Sequence, residues 1–219
     1  SSAIKKYADL FGVACGEKNI LFTNNDSVYE TAISLIQKGI KVQAIIDNRE
    51  EIDSKLIKET EKNNIKIYKG YTIVDTFGYK RINSVSIMKL SKDGQKVIGS
   101  KENISCDSLG ISGGWTPAVH LFTQSGGKLK FRDDDQVFIP NTYPSNQISI
   151  GSCNGDFTLD EILINTPKLL KEFLNIKKTE YENIEIYSAF NKSKRNIWLL
   201  PSNKIVGKTK SFVDFQNDA

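Results

Sequence analysis

Residues 19–47 read strand, turn, helix, strand: NILFT, then NNDSVYETAISLIQKG, then IKVQAIID. The middle segment carries its apolar residues at helical spacing, and the flanking runs are short, apolar and rich in branched side chains. This is the opening βαβ unit of a dinucleotide fold. Such a unit normally places G-x-G-x-x-G after its first strand, so that the backbone can approach a pyrophosphate at the helix N-terminus. Here the three glycine slots hold Thr23, Asn25 and Val28. The scaffold of a cofactor domain is present, and the part that touches phosphate has changed.

Two readings of the turn Thr23-Asn24-Asn25-Asp26-Ser27 follow. Free amides at the helix N-terminus can still attract an anion, which makes Asn24 and Asn25 candidate cofactor contacts. Against this, side chains fill the glycine slots, Val28 sets the helix back from the strand, and Asp26 puts negative charge where phosphate would sit. The turn is then self-capped by Asp26 or Ser27, with Glu30 completing a capping box on Ser27. Asp47 closes the second strand about 20 residues past the turn, where a ribose-binding acid usually stands. It is either that contact or a strand-end acid paired with Arg49.

Composition narrows the classes. At 219 residues the chain can bury one large core or two small ones. The formal charge is +4, but the lysines are scattered over helix surfaces and turns, so nucleic acid is not an expected partner. No apolar run approaches the roughly 20 residues of a membrane span. No basic-then-apolar leader opens the chain, which makes the cytoplasm the default location. Cys15, Cys106 and Cys153 are far apart and form no C-x-x-C, which argues against zinc and redox pairs. The lone histidine, His120, sits in the apolar stretch PAVHLF and is expected to be packed and hydrogen-bonded rather than catalytic.

Around the βαβ unit, residues 1–16 read as an amphipathic helix with Ile4, Tyr7, Ala8 and Phe11 on one face, ended by Gly12 and Gly16. The helical pattern begins without a start signal, as in an excised segment. A second helix is expected over 52–63 and a third strand over 65–68. An antiparallel meander follows at 71–75, 84–90 and 96–98, with a hairpin turn at Asp93-Gly94. Further expected elements are a short helix at 118–124, strands at 129–131, 137–139 and 148–151, and a long helix from Leu159 to about Asn175. Residues 176–196 read as a polar connector with one strand candidate, IEIYSAF. The tail 197–215, with Trp198, Phe212 and Phe215, is too apolar to stay solvated.

Two more glycine-rich stretches are candidate sites. Gly113 and Gly114 follow a strand and permit a close ligand approach. Beside them Trp115 is either a ligand contact or a core anchor, and Thr116-Pro117 is an expected helix start. Further on, a strand running into Gly151-Ser152-Cys153-Asn154-Gly155-Asp156 resembles the late flavoprotein motif that meets a ribityl and pyrophosphate. This makes Gly151, Gly155 and Asp156 candidate cofactor contacts. Cys153 has no base or cation near it in sequence and is not read as a nucleophile. No Ser/His/Asp set and no carboxylate pair stands out, and no metal ligands or catalytic residues are assigned.

LFTNNDSVYETA, SGGWTPAVHLFTQSGGKLKF and SFVDFQND, in this order and spacing, resemble the alpha subunits of heterotetrameric sarcosine oxidases. The resemblance runs along essentially the whole chain. It implies an α/β, Rossmann-like fold of the two-domain pyridine-nucleotide/flavin reductase type, with a small antiparallel β-meander. It implies that residues 17–105 are an inserted NAD-type domain, that 1–16 and 106–175 complete the first dinucleotide domain, and that 176–219 lead toward a folate-binding domain. It further implies a parent complex that oxidatively demethylates sarcosine to glycine, yielding formaldehyde or methylene-tetrahydrofolate and hydrogen peroxide. In that complex NAD is bound by the alpha subunit, FAD lies in the beta subunit, and FMN lies at the alpha–beta contact. The implied partners are the beta, gamma and delta subunits. Within it this segment is expected to be a scaffold. The competing expectation is a free-standing nucleotide-binding or regulatory module using Asn24–Ser27 and Asp47. A redox enzyme in its own right would need a flavin site or reactive cysteine that the residues do not display.

Overall fold

The computed structural model describes residues 1–52, 55–176 and 200–201. The strand candidate at 184–190 and the apolar tail, with Trp198, Phe212 and Phe215 and apart from Leu200 and Pro201, lie outside them. The described chain divides into two compact units between Gly113 and Gly114.

The first unit contains α1 (Ser2–Phe11), β1 (Asn19–Thr23), α2 (Ser27–Gln37), β2 (Val42–Asp47), α3 (Lys55–Lys62), β3 (Lys66–Lys69), β4 (Tyr71–Gly78), β5 (Ile82–Leu90), β6 (Val97–Ser105) and β7 (Ser108–Ser112). Its centre is a parallel sheet in the order β3-β2-β1-β7. Every residue of β1 is buried, as a strand covered on both faces requires. The pleat sends Leu21 and Ile45 to one face, where α1, α2 and α3 supply Ile4, Ala8, Val28, Tyr29, Ala32, Leu35 and Ile57. It sends Ile20, Phe22, Ala44 and Ile46 to the other, against Val85 and Ile87 of the antiparallel meander β4-β5-β6. Each such aliphatic side chain contributes about 1.5–3 kcal/mol when fully buried. Helices on one face and a meander on the other make this a Rossmann-like α/β unit.

Two glycines settle its boundary. On Gly110 of β7, a Cβ would stand 2.8 Å from Leu21 Cδ2 and 2.9 Å from Ile4 Cδ1. Only glycine there lets α1 lie against β7. Gly16 does not end the helix, which stops at Phe11 with Gly12 in the left-handed region at φ 63°. A Cβ on Gly16 would come within 2.5 Å of Asp107 Oδ1. Its absence lets the Glu17 and Lys18 amides donate to the Asp107 carboxylate at 2.9 and 2.7 Å. Both α1 and β7 therefore pack with β1–β3, and the compact first unit runs from Ser1 to Gly113.

The second unit contains α4 (His120–Gln124), the hairpin β8 (Lys128–Arg132) and β9 (Val137–Thr142), and α5 (Leu159–Phe173). The strand expected at 148–151 is not formed. Gly151 takes φ 64° and opens a 3-10 turn, Gly151–Asn154, closed by Gly155 at φ 89°. Helix α5 starts on a full capping box, Thr158 with Glu161. Arg132 Nη2 donates to the Gly155 carbonyl at 2.8 Å, tying the hairpin to the glycine turn.

Candidate functional site

The turn between β1 and α2 is buried throughout: Asn24, Asn25, Asp26 and Ser27 are each below a tenth exposed. Its hydrogen-bonding groups are turned inward. Asn25 Oδ1 accepts from the Ser27 amide at 3.1 Å and from Ser27 Oγ at 2.7 Å. Thr23 Oγ1 accepts from the Asn25 amide at 3.0 Å and donates to the Asn25 carbonyl at 2.8 Å. The turn is self-satisfied, but by a different residue than expected. Asp26 occupies the N-cap position with no side-chain cap bond, and Ser27 with Glu30 forms no capping box. Asn25 takes that role because Asp26 is drawn elsewhere.

That attraction comes from Arg49. Its Nη1 lies 2.8 Å from Asp26 Oδ1, and its Nη2 lies 2.7 Å from Asp47 Oδ2. Arg49 Nε and the Arg49 amide both donate to Asp47 Oδ1, at 3.0 and 2.9 Å. Tyr29 on α2 donates its hydroxyl to Asp47 Oδ2 at 2.9 Å. Burial works against the guanidinium charge, but the bonds and charges of Asp47 and Asp26 outweigh it and hold Arg49 above its ordinary pKa. Burial, aided by the Asp47 charge, raises the Tyr29 phenol, which stays a donor. Asp47 is fully buried with both oxygens engaged. It is the strand-end acid of Arg49, with no edge turned to a ribose.

A pyrophosphate does not fit this turn. Asp26 carries the negative charge there, and the Ser27 amide is already taken by Asn25. Val28, in the third glycine slot, is fully buried in the core between α2 and β1. The Tyr29–Asp47 bond went unread in the sequence. Its signal was a tyrosine on the buried face of a helix that crosses back toward an acidic strand end.

The other candidates divide. Gly113 and Gly114 are exposed, Gly114 at φ 113°, with open space where their Cβ atoms would stand. Trp115 is half exposed and is not a core anchor. Thr116-Pro117 does not start a helix: α4 begins at His120 with Val119 in the cap position. His120 itself is exposed, not packed, because α4 is a single short turn that buries only Phe122. Gly151, Gly155 and Asp156 come together in the second unit. Asp156 is buried, its Oδ1 accepts from Asn165 Nδ2 at 2.9 Å, and its Oδ2 has no hydrogen-bond partner among the described residues. Such an orphaned buried oxygen suits a hydroxyl donor from a ligand. Among the described residues no group of three or more His, Cys, Asp or Glu is placed to hold a metal, and no helix is long and apolar enough to cross a membrane.

Parallel sheet, covering helices and meander define a Rossmann-like α/β fold. A flavoprotein disulfide reductase, RclA of Escherichia coli, solved as a Cu(II) complex, shares the fold with a TM-score of 0.52 at 14% identity, over 74% of this chain and 36% of that one. No family profile matches the chain. Along its whole length the chain is similar to sarcosine oxidase alpha subunits. It is 27% and 28% identical to those of Corynebacterium sp. strains P-1 and U-96, and 26% identical to that of Rhizobium meliloti strain 1021. It spans only 23%, 23% and 21% of their respective lengths.

Proposed function

We propose that this chain is a scaffold segment of the alpha subunit of a sarcosine-oxidising complex, and that its own βαβ turn holds no dinucleotide. The parent complex would oxidatively demethylate sarcosine to glycine, releasing formaldehyde or forming methylene-tetrahydrofolate, with hydrogen peroxide as co-product. Its beta, gamma and delta subunits would be the partners, with NAD in the alpha subunit, FMN at the alpha–beta contact and FAD in the beta subunit. The similarity along the full chain supports the assignment. The observation that carries the scaffold role is Arg49 bridging Asp26 and Asp47 inside the turn.

In this reading residues 17–105 derive from an inserted NAD-type domain that kept its fold and lost its ligand. Gly151, Gly155 and Asp156 would form part of the wall against a cofactor gripped mainly by a glycine motif elsewhere in the parent. Asp156 Oδ2 would accept from a ligand hydroxyl there. The cofactor would supply the redox chemistry, and these residues would orient it.

Calorimetric titration of the chain with NAD, NADP and FAD tests the closed turn. Dissociation constants weaker than about 10 µM are expected for all three. A value at or below about 10 µM, roughly −7 kcal/mol, overturns it and favours a free-standing nucleotide-binding module. The chain alone is expected to produce no peroxide from sarcosine, with or without added flavin. Turnover by the pure chain would refute the scaffold role.

A further inference from the structure

We infer that the β1–α2 turn works as a clamp on the end of β7, with Asn24, Asn25 and Ser27 as positioning residues for Ser112 and Gly113. The acceptors are the last two carbonyls of the strand exit. Asn24 Nδ2 donates to the Gly113 carbonyl at 2.9 Å, and the Asn24 amide donates to the Ser112 carbonyl at 3.3 Å. Asn25 Nδ2 donates to Asn24 Oδ1 at 2.7 Å and reaches the Ser112 carbonyl and hydroxyl, each at 3.3 Å. Ser27 Oγ lies 2.8 Å from Ser112 Oγ. Thr23 Oγ1 adds a contact to the Ser112 carbonyl at 3.3 Å.

Packing does not do this work. Nothing lies within 4 Å of the position a Cβ would take on Gly113, and the residue is exposed. A glycine with no steric neighbours is the most mobile kind of residue, so the hydrogen bonds from the turn set the path on which the chain leaves the sheet. The two side chains that fill glycine slots within the turn thus share one result. Asn25 at the second slot, with Thr23 at the first, closes the anion site and supplies donors to β7. This holds whether or not the parent subunit oxidises sarcosine, since it rests on these bonds alone.

The test is amide relaxation on the uniformly labelled chain, comparing the parent with Asn24→Asp and Asn24→Ala. Asn24→Asp keeps the shape and removes the Nδ2 donor. The order parameter at Gly113 should fall from about 0.85 to below about 0.6 in both variants, while Leu21 and Ile45 stay rigid and the melting temperature moves little. An unchanged order parameter at Gly113 in either folded variant overturns the clamp. If the variants do not fold, exchange of the side-chain amides in the parent decides. Protection of the Asn24 and Asn25 Nδ2 protons by at least about tenfold over free asparagine supports the clamp, and exchange at the free rate overturns it.

Discussion

Arg49 reaches back across the β1–α2 turn to Asp26, its Nη1 2.8 Å from Oδ1, with both side chains almost wholly buried. The same guanidinium grips Asp47. One cation therefore serves two carboxylates, and the loss of either kind of partner is unequal. Removing Arg49 strands two buried charges. Arg49→Met is expected to lower unfolding free energy by about 3–5 kcal/mol, measured by urea denaturation at neutral pH. Arg49→Lys should recover only part of this, because an ammonium cannot reproduce the fork on Asp47. A loss below about 1 kcal/mol for Arg49→Met would mean that the network contributes no more than a surface pair.

Asn25 rather than Asp26 satisfies the first turn of α2. Asn25→Ala should cost about 0.5–2 kcal/mol, the range for a lost helix cap. Ser27→Ala should cost less, since its amide keeps a partner. The denaturant midpoints of the two variants order them, and a larger effect from Ser27→Ala would return the capping role to Ser27.

The loop before β1 is pinned by a charge. The Lys18 and Glu17 amides donate to Asp107 and hold its carboxyl below the usual value. A carboxyl with a lowered folded pKa stabilises the fold above its unfolded value, near pH 4, and loses that contribution as pH falls through the folded value. Asp107→Asn should therefore melt below the parent at pH 7, and the gap should close as the pH is taken from 4 toward 2. A gap that stays constant over this range would show that ionisation of Asp107 plays no part.

Helix α5 in the second unit begins with Thr158 and Glu161 in reciprocal contact. Thr158→Ala is expected to cost this unit about 0.5–2 kcal/mol, with faster amide exchange in the first turn of α5 and none in β1 or β2. Equal loosening in the sheet would show that the cap does not act locally on α5.

The βαβ unit, the meander and the long last helix were legible from sequence because each rests on a local period of apolar residues. The pattern of NILFT and VQAIID tells which residues are buried, and Gly12 and the Asp93-Gly94 turn tell where elements stop. That the three glycine slots hold Thr23, Asn25 and Val28 was equally legible, because it is read directly from the chain.

What fills the turn was not legible, because the partners come from far along the chain. Ser112 meets Asn25 and Ser27 across 87 and 85 residues. Arg49 could be paired with Asp47 from their spacing, but its second carboxylate, Asp26, is reached only when β1 and β2 lie side by side. His120 sat in an apolar run and still faces solvent, since a five-residue helix has too little surface to bury more than Phe122. Local sequence determined the elements and which side chains stand in the glycine slots. The tertiary structure alone decided what those side chains and Asp26 meet, because a buried charge takes whichever opposite charge the folded sheet brings within reach.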